Sequence, residues 1–157
     1  MPFERNLVEA KLALDRIGPE ELPALAWDAL EAGFDGHAIR RMAAFVNPTG
    51  WQTDQILPAF MRESGLQRIS IEAACVRIAI DLARRLLTNG SDPLLYSRDF
   101  ELLWIKSDYS RVLQDAGSLD DQKYVGPMVG ETEAELREHG REVLIALSQV
   151  DEANEPP

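Results

Sequence analysis

Apolar residues recur along this chain at helical spacing. Phe3, Leu7, Ala10, Leu14 and Ile17 fall alternately four and three apart, which places them on one stripe of a helix. Val8 and Leu12 widen the stripe, and a helix is predicted from Pro2 to Ile17, stopped by Gly18-Pro19. Pro19-Glu20-Glu21 opens a second helix with Leu22, Leu25, Ala26, Ala29 and Leu30 on its apolar face and Gly33 at its end. A third is predicted from Gly36 to Val46, with Ile39, Met42, Ala43 and Val46 on one side. After the turn cluster Asn47-Pro48-Thr49-Gly50, a fourth covers roughly Thr53, its predicted N-cap, to Ser64, with entry through Trp51 as the alternative. Pro58 within it predicts a kink or a late start.

The strongest pattern lies between Ser70 and Gly90. Ile71, Cys75, Ile78, Ala79, Leu82 and Leu86 form one face. Ala74, Val76, Ala83 and Leu87 carry apolar surface round most of the cylinder, and Arg77, Asp81, Arg84 and Thr88 share a narrow strip. A helix apolar almost all round is a central one, enclosed by its neighbours. Beyond Asp92-Pro93 a sixth helix reaches Lys106, with Tyr96, Phe100 and Leu103 in register. Short helices are expected from Asp108 to Gly117 and after Ser118, and Tyr124 to Gly130, which contains Gly126-Pro127, reads as a loop. Thr132 with Glu135 forms a capping box that opens a last helix to about Val150.

No segment alternates as a strand would. The expected fold is all-α, an irregular multi-helix bundle of about seven or eight helices. One domain is expected over residues 1–150, followed by a frayed acidic tail over 151–157. Leu22-Pro23-Ala24-Leu25 is echoed by Leu57-Pro58-Ala59-Phe60, as helical-hairpin, HEAT-like stacking in the N-terminal part would produce.

Composition narrows the classes. The chain has 157 residues, 45% hydrophobic and 27% charged, enough for an ordinary core and against wholesale disorder. Cys75 is the single cysteine, which excludes an intramolecular disulfide and fits a reducing compartment. The N-terminus lacks the apolar run of a signal peptide, and no stretch approaches the ~18 apolar residues of a membrane span. The expected location is the cytoplasm. A net charge of −11 disfavours nucleic acid and anionic membranes as ligands; it could steer a basic protein partner, and the plainer reading is that it serves solubility. From Glu131 to Pro157, eight carboxylates stand against only Arg137 and Arg141.

Candidate chemistry is sparse. Glu135, His139 and Glu142 share one helical face and are the candidate metal ligands. A di-iron bundle, however, repeats Glu-x-x-His on two helices, whereas this spacing is Glu-x-x-x-His and occurs once. The plainer reading is a solvated helix face. His37 begins a helix and is expected in solvent, and Cys75 is expected in the core. Arg77, Arg84, Arg85 and Asp81 lack a glycine-rich phosphate loop, and no Gly-x-Ser-x-Gly is present. No cofactor and no catalytic residue are expected. Trp27, Phe34, Trp104 and Tyr109 are expected as core aromatics. Trp51, after its Pro-Thr-Gly turn, is a candidate exposed anchor, and Glu131, Glu135, Glu138 and Glu142 a candidate docking face for a basic protein.

The block Glu21-Leu22-Pro23-Ala24-Leu25-Ala26-Trp27-Asp28-Ala29-Leu30-Glu31-Ala32-Gly33-Phe34-Asp35, followed by Ala38-Ile39-Arg40-Arg41-Met42-Ala43, resembles small bacterial all-helical proteins of unknown function. Some of these look like immunity partners of secreted toxins. The resemblance covers about residues 20–90; it implies a helical fold, permits an immunity role and transfers no binding residue. The expected function is non-enzymatic protein binding, in its concrete form an immunity-type inhibitor of a basic toxin. A metal-binding bundle or enzyme, and a structural subunit of an assembly, are the alternatives.

Overall fold

The structure is a computed structural model that describes residues 3–151. The expected start at Pro2 and the tail at residues 152–157 lie outside the described residues. Among those described there are nine α-helices and two 3-10 turns, with no strand. The helices are α1 Arg5–Ala13, α2 Leu22–Glu31, α3 His37–Ala43, α4 Gly50–Glu63, α5 Ile71–Thr88, α6 Ser97–Lys106, α7 Gln114–Gly117, α8 Leu119–Met128 and α9 Glu133–Ser148. The chain divides into two compact units, residues 1–69 and 70–157.

In unit 1, α3 packs against both α2 and α4. Val8, Leu22, Ala26, Ala29, Ile39, Met42, Ile56, Phe60 and Leu66 form the core. Carboxylates complete this unit by closing backbone N–H groups. Gly36 offers α3 no side-chain cap, and Glu63 Oε2 instead accepts the N–H of Ile39 at 3.0 Å. A Cβ at Gly36 would come within 2.3 Å of that same oxygen. Glu9 is buried in α1, and its Oε1 accepts the N–H of Gln67 at 3.1 Å.

Three boundaries in this unit differ from expectation. α1 ends at Ala13, not Ile17, because Asp15 takes up a left-handed conformation (φ +52°). The Arg16 N–H then returns to Lys11 O at 2.8 Å, closing the helix before Gly18 is reached. α3 stops at Ala43, which leaves Val46 in the connection and exposed. α4 starts at Gly50 because Thr49, not Thr53, is its cap. Thr49 accepts the Gln52 N–H while Gln52 returns to the Thr49 N–H. The helix runs on through Pro58. Pro23 lies in the first turn of α2 and Pro58 in the interior of α4, so the echoed tetrapeptides do not hold equivalent positions.

In unit 2, α5 is buried at Ala73–Val76, Ile78–Ile80, Ala83 and Leu86, most of its circumference. α9 and α6 pack on it. Asp81 of the polar strip pairs with Arg85 Nε, four residues on, at 2.9 Å. Arg84 Nε donates to Ser148 O at 3.1 Å, covering a terminal carbonyl of α9. Asp108 and Tyr109 do not start a helix; both take positive φ, and the Tyr109 N–H closes α6 on Trp104 O at 2.9 Å.

The segment expected as a loop, Tyr124 to Gly130, is helical as far as Met128. Pro127 falls in the last turn of α8, where only one intrahelical bond is forfeited. Gly130 (φ +88°) then reverses the chain, with the Glu131 N–H reaching Gly126 O at 2.9 Å.

α8 is fastened to α6 by a partly buried polar contact. Ser97 Oγ donates to Asp120 Oδ1 at 2.8 Å and accepts from Lys123 Nζ at 2.9 Å. The Ser97 hydroxyl, with Lys123 and Arg98 adding to it, holds the Asp120 carboxyl below its ordinary range. A group depressed in the folded state stabilises above its unfolded pKa, and the contribution fades as pH falls toward the folded value. Asp120→Asn is therefore expected to destabilise most at neutral pH and progressively less below about pH 4, as urea unfolding at a series of pH values would show.

α7 meets α6 at a glycine: a Cβ on Gly117 would lie 2.5 Å from the Trp104 Cβ. Gly→Ala ordinarily favours a helix by about 1 kcal/mol. Here Gly117→Ala is expected to cost about 1–3 kcal/mol by overpacking, read as a lowered urea midpoint at unchanged slope.

Candidate functional site

The residues singled out in the sequence are dispersed. His37 is exposed, Cys75 is fully buried, and Trp51 projects from the first turn of α4 with 73% of its surface exposed. Trp27 and Tyr109, expected in the core, are exposed instead, while Phe34 and Trp104 are half-buried. Phe34 is packed edge-on by Phe3 at 5.7 Å, and Trp104 by Tyr109 at 5.2 Å.

On α9 the four candidate docking carboxylates divide by role. Glu135 Oε2 accepts the Thr132 N–H at 2.8 Å and so completes the capping box. That backbone N–H, with the Thr132 hydroxyl contact, lowers its pKa. Glu131 is half-buried, its carboxylate folded onto Gly126, where a Cβ would meet Oε2 at 2.3 Å. Glu138 and Glu142 project into solvent from the side opposite Leu136, Val143, Leu144 and Leu147. Neither has an ion-pair partner among the described residues.

The same division bears on the candidate metal ligands. Glu135 is held at the helix start, His139 is half-buried and Glu142 exposed. Among the described residues no three His, Cys, Asp or Glu side chains gather in a way that would hold a metal ion. Gly140, beside His139, is not on a solvated face. It is buried, and a Cβ there would stand 3.0 Å from Leu94 Cδ2.

The most pronounced surface was hidden in the sequence by Gly126-Pro127. α8 buries Leu119 and Gly126, and its opposite side carries Tyr124, Val125 and Met128, exposed by 68%, 54% and 84%. Val129 extends the patch at 77% exposure. Large apolar side chains on the solvent side of a helix invert the usual pattern and mark an unpartnered face. The spacing of Tyr124 with Met128, and of Val125 with Val129, carries this signal once the segment is read as helix.

A groove of about 490 Å³ adjoins α8 and α9. Leu94, Leu95, Pro127 and Leu136 supply its apolar lining, and Asp92, Glu131 and Glu133 its carboxylates. Its cations are already engaged. Arg137 lies 3.6 Å from Asp92 and 3.7 Å from Glu133, and Lys123 is held by Asp120 and Ser97. Among the described residues, three large exposed apolar side chains belong to unit 1, Trp27, Val46 and Trp51, and twelve belong to unit 2. No helix is long and apolar enough to cross a membrane, among the described residues.

No protein-family model, curated protein or solved structure matches the chain.

Exposure sets the expected energetics of the α8 face. Tyr124→Lys and Met128→Lys are each expected to shift unfolding free energy by no more than about 0.5 kcal/mol. Leu119→Ala, on the buried side of the same helix, is expected to cost about 2–5 kcal/mol. Parallel urea titrations would show the contrast; equal losses on both sides would place the α8 face inside the fold.

Proposed function

We propose that this chain is a non-enzymatic protein-binding module that docks a positively charged partner on unit 2. The observation that carries the reading is the outward side of α8, where Tyr124, Val125 and Met128 stand exposed opposite buried Leu119 and Gly126. Apolar residues of this size anchor interfaces when a partner removes them from water. The sign of the partner follows from charge. The chain carries −11, the cations beside the groove are paired, and Glu138 and Glu142 are open to an incoming Lys or Arg. Trp51 belongs to unit 1 and is not needed for this surface. An immunity-type inhibitor of a basic toxin is the specific form of the proposal: the apolar patch, on a chain of net negative charge, would cover a cationic active surface by charge and shape.

The test is capture from the source cells by affinity purification of the full chain, beside two double variants. Tyr124→Lys with Met128→Lys is expected to abolish capture of a partner of high isoelectric point. Glu138→Lys with Glu142→Lys is expected to weaken it at least about ten-fold and to flatten its salt dependence. In the inhibitor form, the partner expressed alone arrests growth and co-expression restores it. An acidic partner, or one retained in full by both variants, defeats the reading.

A further inference from the structure

Unit 1 holds a cleft of about 390 Å³ that plays no part in the surface described above. It opens between the second half of α1, the connection over residues 15–19, α4 and the segment 67–69. Its volume is that of a small-molecule site. Leu12, Ile17, Leu22, Leu57 and Met61 give it apolar walls.

The polar lining is one-sided. Glu9, Asp15 and Asp54 contribute three carboxylates, and Arg68 is the one cation lining the cleft among the described residues. Glu9 is set in the wall, 7% exposed, with Oε1 fixed by the Gln67 N–H at 3.1 Å. Thr53 is 1% exposed and donates its hydroxyl to Gly50 O at 3.0 Å, so toward the cleft its oxygen can only accept. Asp15 and Asp54 are exposed at the mouth. The lining thus accepts hydrogen bonds and positive charge, carries a net charge of minus two, and offers an apolar surface to the remainder of an occupant.

We propose that this cleft is a binding site for a small organic cation with an apolar body, an ammonium or guanidinium group on an aliphatic or aromatic skeleton. The skeleton lies against Leu12, Leu57 and Met61, and the cationic head donates charge-assisted hydrogen bonds to Asp15 and Asp54, with the Glu9 charge adding to the field. An anion of the same shape would meet three like charges, and a neutral analogue would forfeit the charge-assisted bonds.

The experiment uses the isotopically labelled full chain and three matched probes: phenethylamine, 2-phenylethanol and 3-phenylpropanoate. Amide shifts of Thr53, Leu57, Gln67 and Ile69 are followed by NMR as each is added. The amine is expected to move these amides and to bind at least about ten-fold more tightly than the alcohol, as one charge-assisted bond supplies. The carboxylate is expected to bind most weakly. Asp54→Lys is expected to lower the amine affinity about ten-fold or more and to leave the alcohol unchanged. Leu57→Trp, which fills the cleft, is expected to remove binding of all three; if it unfolds by circular dichroism, Asp54→Lys decides alone, since Asp54 is exposed. Equal affinity of amine and alcohol, tightest binding of the carboxylate through Arg68, or shifts confined to other amides would each overturn the proposal.

Discussion

An 18-residue helix with apolar side chains on nearly every side is the constraint from which unit 2 follows. α5 buries Val76, Ile78, Ile80 and Leu86 together with four alanines and Cys75. Each fully buried large aliphatic side chain stabilises by about 1.5–3 kcal/mol relative to exposure. The alanines let neighbouring helices approach closely, which is how α9 and α6 both reach it. Since α5 offers only a narrow polar strip, its few charged groups are drawn into structural duty. Asp81 holds Arg85, and Arg84 covers the end of α9. Cys75 is buried there among the core side chains.

Enclosing α5 uses the apolar faces of α9 and α6, and this leaves α8 in a different position. Its attachment is short: Leu119, the glycine at 126 and the Ser97–Asp120–Lys123 contact. A ten-residue helix held by so little inward surface would normally turn its larger apolar side chains inward. Instead Tyr124, Val125 and Met128 face solvent. Gly126 explains how this geometry is possible, because the absence of a side chain lets the Glu131 carboxylate close on the helix. The packing requirement of α8 is met without these residues, so their apolar character is not accounted for by the fold.

What could be read from the sequence follows how local each determinant is. The Thr132–Glu135 capping box, the extent of α5 and the Asp81–Arg85 pair depend on residues within one turn or on a sustained period, and all were legible. The end of α1 was not. Asp15 at positive φ does in the structure what glycine usually does, and nothing about an aspartate announces it. α8 was missed because Gly-Pro inside a segment is a loop signal unless the proline falls in a last turn, which depends on where the helix began. The Glu63 cap on α3 joins positions 24 apart and has no local signature. Trp27 sits on α2 among helix formers at core spacing, yet the face it occupies is decided by which helices pack there.

The carboxylates show why counting charge overstates a docking surface. Glu9, Glu21, Glu63 and Glu135 each accept a backbone N–H, and the pKa of Glu135 is lowered by its contact, so it stays ionised while immobilised. Such groups still contribute to the field that an approaching cation feels within about a Debye length of the surface. They are poorly placed to make the final contact, because their oxygens already accept a bond that closes a helix end or fastens a segment. Long-range attraction and short-range recognition are thereby carried by different residues of one acidic chain. The total of −11 sets the first. The second rests, on unit 2, on carboxylates such as Glu138 and Glu142 that no ion pair engages among the described residues, and on the apolar side chains of α8 that the fold leaves in water.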